Sequence, residues 1–153
     1  MNTEQSIDVL NALVVINNDR IEGYRRASKE SEESDLKTLF AQFENTSHKC
    51  KGELVQEVQR LGGEPSEGTK TTGKIYRVWM DVKATLTGSD RKAILNSCEY
   101  GEDVAIEAYE DALNNEKEDI SSEQQTMLRR QLQSIRADHD KVKGLRDMMT
   151  EHA

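Results

Sequence analysis

Apolar residues return every three or four positions along most of the chain, and this spacing predicts helices. Ile7, Leu10, Val14, Ile21 and Tyr24 form the first stripe, giving a helix over about 3–29. Leu36, Phe40, Phe43, Cys50, Leu54, Val58 and Leu61 form the second, over about 32–61, with Glu32, Glu33 and Asp35 in its opening turn. Gly62-Gly63 and then Pro65 end it, because glycine accepts a left-handed cap and proline cannot continue a helix. Residues 66–73 are polar and rich in glycine and threonine, the composition of a loop. A short amphipathic helix over about 74–87 follows, with Ile75, Val78, Trp79, Val82 and Leu86 on one side. Gly88 stops it, and Ser89 with Asp90 opens a third long helix over about 90–114. That helix carries Leu95, Cys98, Ala105, Ile106, Tyr109 and Leu113. The fourth, over about 122–150, starts at a capping box of Ser121 and Gln124 and carries Leu128, Leu132, Ile135, Val142 and Met149. No segment alternates apolar and polar residues long enough to suggest a strand.

The connections set the expected topology. Short joins between helices one and two, and between three and four, make each pair antiparallel neighbours. The long middle connection can travel the length of the bundle. The expected fold is therefore all-α: one domain, a ferritin-like four-helix bundle with a single long crossover that carries a short extra helix. The crossover helix, anchored by Trp79, should lie against the outside of the bundle.

Composition narrows the partners. The chain has 153 residues, enough for one continuous core; its 33% charged residues belong on outer helix faces. A net charge of −8 repels phosphate backbones, so no nucleic-acid partner is expected. The longest apolar run, residues 12–16, is far too short to span a bilayer, and no membrane association is expected. The start of the chain lacks a signal-peptide layout, and Cys50 and Cys98 are isolated core-filling cysteines, which together suggest the cytoplasm. A homo-oligomer would form through helix faces or the Trp79 crossover.

Counting at about 100° per residue finds polar residues centred on apolar stripes. Glu102 stands among Leu95, Cys98, Ala105, Ile106 and Tyr109, and His139 among Leu128, Leu132, Ile135 and Val142. Asn17 and Ser47 hold similar positions on the first two helices. With Arg136 these residues are expected to share one buried polar layer, since a buried charge needs a partner. Di-iron bundles place their metals in that layer, using a glutamate from each of two helices and a Glu-x-x-His pair from each of the others. Here no Glu-x-x-His occurs: Arg136 precedes His139 by three residues, and Asn45 precedes His48. The remaining candidate ligands for iron or another divalent metal are Glu22, Glu44, Glu53, Glu99, Glu102 and His139. The competing view of Glu102 and His139 is a buried hydrogen-bonded pair.

Several strings resemble a family of uncharacterised bacterial four-helix-bundle proteins in the ferritin-like superfamily. They are Asp19-Arg20-Ile21-Glu22-Gly23-Tyr24, Arg60-Leu61-Gly62-Gly63-Glu64-Pro65, Trp79-Met80-Asp81-Val82-Lys83 with Leu86-Thr87-Gly88, Gly101-Glu102-Asp103, and His139. The resemblance implies a ferritin-like fold, a cytoplasmic setting and, by analogy, stress or metal handling. Glu22, Glu53, Glu102 and His139 match residue types found in similar proteins. The family has no established activity, so the resemblance brings fold and not function. Two readings stay open: a non-catalytic stress-associated or scaffold bundle with a polar centre, and a metal-binding or oxidoreductase bundle.

Overall fold

A computed structural model describes residues 3–30, 33–67, 91–115 and 117–151. Four long helices hold almost all of them: α1 (Thr3–Glu30), α2 (Ser34–Arg60), α3 (Arg91–Asn114) and α4 (Ser122–Glu151). A 3-10 turn at Lys117–Asp119 joins the last two. No strand occurs among the described residues. The expected crossover helix over 74–87, Trp79 included, lies outside them.

The helix ends follow local chemistry. At α4 the Ser121 hydroxyl accepts the Gln124 amide at 3.0 Å, while the Gln124 side chain accepts the Ser121 amide at 2.9 Å. This reciprocal pair satisfies two donors that the first turn would leave open. At the end of α2 the Gly63 amide reaches back to the Val58 carbonyl and the Gly62 amide to that of Gln59. Gly62 takes a φ of 85° to make this possible, a conformation that costs glycine little.

Side-chain contacts fix the directions. Residues 24, 20 and 17 of α1 meet residues 102 and 109 of α3 in reverse order, and Ser6 bonds the Asp119 carbonyl. Cys50 and Glu53 of α2 likewise meet Gln131 and Arg130 of α4. Hence α1 is antiparallel to both α2 and α3, α2 runs parallel to α3, and α4 runs parallel to α1. The chain leaving α2 is pinned to α1, where Asn11 donates to the Glu64 carbonyl at 3.0 Å and accepts the Ser66 amide at 2.9 Å.

The apolar core falls into two clusters. One contains Leu10, Leu13, Val14, Leu54, Val58, Tyr109, Leu128 and Ile135. The other contains Tyr24, Leu36, Phe40, Phe43, Leu95, Cys98 and Val142. Tyr24 stacks near Phe40, with centroids 5.8 Å apart, and meets Phe43 edge-on at 5.1 Å. Between the clusters lies a layer of polar side chains. No described helix is long and apolar enough to cross a membrane.

Candidate functional site

The polar layer is built around Arg20. Long cationic side chains rarely lie fully inside a protein unless they are paired, yet Arg20 is 1% exposed. Its Nη2 donates to both Glu102 carboxylate oxygens, at 2.6 and 2.9 Å, and to Asp138 Oδ2 at 3.2 Å. Its Nη1 donates to the Ser47 hydroxyl at 2.7 Å. The three other helices therefore each contribute one hydrogen-bonding group to a guanidinium carried by α1. The Tyr24 hydroxyl donates to Glu102 Oε1, and its ring also lies beneath the guanidinium, 5.6 Å from centroid to Cζ. Charged hydrogen bonds of this kind are the strong ones, and planar donors on carboxylates also fix geometry.

Electrostatics in the layer follow from burial. Burial works against the Arg20 charge, but Glu102, Tyr24 and Asp138 outweigh it and raise its pKa, so the guanidinium stays charged. Tyr24 is pushed well up, by burial first and the Glu102 charge second. Burial also raises Asp138, while Arg20 beside it pulls the other way. The thiol of Cys98 is pushed up by burial and then by Glu102, and that of Cys50 is pushed up to about 11, chiefly by burial. Neither cysteine is an activated nucleophile.

A second strand of polar contacts leads outward. Asn17 donates to the Tyr109 hydroxyl at 2.9 Å, and Tyr109 donates to Gln131 Oε1 at 2.7 Å. Gln131 continues to the Cys50 carbonyl and to Glu53 Oε1, both at 3.3 Å. It ends at an open groove of about 200 Å³ lined by Thr46, Lys49, Glu53, Arg130 and Ser134.

Several expectations are corrected here. Asn17, Ser47 and Glu102 are fully buried in the layer, but Arg136 is not in it: it lies outside, half-exposed, on Glu110 at 2.6 Å. His139 is not the partner of Glu102. It sits at the α3–α4 flank, 2.9 Å from Asp103 and 3.6 Å from Glu99. The buried face of α4 is centred on Leu128, Ile135 and Val142, all 0% exposed, and Asp138 and His139 flank it on opposite sides: Asp138 turns towards Arg20 and His139 towards Asp103 of α3. Among the other candidate ligands, Glu44 pairs with His48 at 3.0 Å and Arg25 at 3.6 Å. Glu53 pairs with Arg130, Glu99 with Arg146, and Glu22 is half-buried on α1. Only Glu102 among the six candidate ligands touches the Arg20 guanidinium in the described contacts.

The residues that sequence reasoning missed are Arg20, Asp138 and Gln131. Arg20 stands seven after Leu13 and seven before Ala27, both buried, so its phase was available. Charge alone argued for solvent. Asp19 is also buried, because α1 is covered around its whole girth from Asn17 to Ile21.

Residues 5–115, which hold Asn17, Arg20, Tyr24, Ser47 and Glu102, match the family described as Domain of unknown function (DUF2383). The chain belongs to this family. The match runs from α1 to the end of α3, leaving Asp138 and His139 of α4 beyond it. No curated protein matches the chain. Family membership therefore supplies a relationship and no activity.

Proposed function

We propose that the chain is a single-domain bundle of ferritin-like connectivity that acts as a non-catalytic scaffold, with Arg20 where metal-carrying relatives of that architecture hold a cation. One observation carries this: a single buried guanidinium binds the carboxylates of Glu102 and Asp138 together with Ser47. Two carboxylates facing each other across a bundle would otherwise call for metal. Here Arg20 offsets one of the two negative charges and hydrogen-bonds both carboxylates. A divalent ion brought within about 4 Å of Arg20 would meet a repulsion on the order of 8 kcal/mol at an effective dielectric near 20. The parallel course of α2 and α3 supports the ferritin-like connection, since it requires one long crossover. Free buried thiols at Cys50 and Cys98 suit a reducing compartment such as the cytoplasm.

The alternative, an iron or other divalent-metal centre at Glu102, is tested directly. Purified metal-free protein is given Fe(II) in air, and iron content and oxygen consumption are measured for wild type and Glu102→Gln. Equal iron content in the two proteins, with oxygen consumed no faster than in buffer, is the expected result. Near two irons per chain, lost in Glu102→Gln, would overturn the scaffold reading.

A further inference from the structure

Away from the central layer, Glu99 and Asp103 of α3 stand one turn apart and face His139 of α4. Among the described residues they are the one group of three His, Cys, Asp or Glu side chains whose ligand atoms all lie within 4.8 Å of one another. The geometry points to a single divalent transition-metal site formed by Glu99 Oε1, Asp103 Oδ1 and His139 Nε2.

Distance is the first argument. Ligands about 2.1 Å from one ion stand roughly 3.0 Å apart at octahedral angles and 3.4 Å apart at tetrahedral ones. His139 Nε2 lies 2.9 Å from Asp103 Oδ1 and 3.6 Å from Glu99 Oε1, so small side-chain adjustments bring both pairs to that spacing. Orientation is the second. The other ring nitrogen, His139 Nδ1, is 3.3 Å from Asp140 Oδ1, which turns Nε2 towards the two carboxylates. A carboxylate behind a ligating imidazole is the usual outer-shell support of a metal site. Arg146 binds the far oxygen of Glu99, Oε2, and leaves Oε1 directed at His139.

Access is the third. The Asp103 side chain is 57% exposed, whereas those of Glu99 and His139 are 16% and 18% exposed. An ion would enter from solvent past Asp103 and keep water in its remaining positions. One imidazole with two carboxylates suits Zn(II), Fe(II), Co(II) or Mn(II) better than Mg(II) or Ca(II), which prefer oxygen alone. This site is independent of the central layer, which Arg20 closes.

Co(II) titration of the metal-free full-length protein, followed by visible absorption and calorimetry, tests the assignment. One ion per chain is expected, with binding at least tenfold weaker in both His139→Ala and Asp103→Asn and unchanged in Glu102→Gln. Circular dichroism checks that each variant is folded, and Asp103, being exposed, provides a variant that leaves the core packing in place. No binding by wild type would mean an ion pair only and overturn the site while leaving the scaffold reading intact. Binding kept by all three variants would overturn it in the same way. Binding kept in His139→Ala but lost in Glu102→Gln would overturn both.

Discussion

At the scale of single residues, the molecule is organised by one buried cation. Arg20 of α1 is held by groups from the three other helices, so removing it leaves Glu102 and Asp138 facing each other in the buried interior. Breaking a buried pair on one side costs about 3–5 kcal/mol, whereas replacing both partners with apolar groups can be close to neutral. Arg20→Met should therefore lose stability in that range by urea denaturation. The double variant Arg20→Met with Glu102→Leu should lose clearly less than the sum of the single changes. Strict additivity would show that the two do not depend on each other. His139, by contrast, should couple to Asp103 and not to Glu102.

At the scale of elements, the helices and their apolar stripes were legible, and the partners of the polar residues beside those stripes were not. Periodic leucines, the Gly62-Gly63 stop and the Ser121–Gln124 box place the ends of α2 and α4 within a few residues of where they fall. Those signals are local, and local chemistry decides where a helix starts and stops. On α4 the stripe of Leu128, Leu132, Ile135 and Val142 is buried as its spacing predicts, while Gln124, Gln131 and Asp138 beside it look like solvent residues until their partners are known. Asp138 and His139 flank that stripe on opposite sides, and spacing alone does not say which of them meets the central layer. Two adjacent glycines illustrate a different local limit. A Cβ on Gly63 would come within 2.8 Å of Ile7, and Gly62 has open space but a positive φ. Gly63→Ala should cost about 1–3 kcal/mol through overpacking. Combining it with Ile7→Ala should recover part of that loss in a thermal melt, because the clashing atoms are removed.

At the scale of the whole molecule, the polar layer divides the core and ties the α1–α2 hairpin to the α3–α4 hairpin. The four-helix outline could be read from stripe spacing and connection length, and so could Asn17, Ser47 and Glu102 in the layer, but Arg20 and Asp138 could not, because their burial depends on which distant residues meet. Its effect on overall stability has a definite sign with pH. Asp138 is raised above its ordinary value, so its contribution is fully present below that value and is lost as pH rises through the raised one. Urea midpoints of wild type should fall across that window relative to those of Asp138→Asn, which lacks the titrating group. Parallel curves for the two proteins would remove Asp138 from the balance.

The division of the core also bears on how the helices line up lengthwise. Leucines and valines spaced by heptads can be slipped by one turn, about 5.4 Å, and still meet other apolar side chains. Arg20 tolerates no such slip. Moved one turn along α1's axis, its guanidinium would leave Glu102, Asp138 and Ser47 and enter a cluster of aromatic or aliphatic carbon. The charge in the middle therefore acts as an index mark, selecting one longitudinal alignment among several that hydrophobic packing alone would accept.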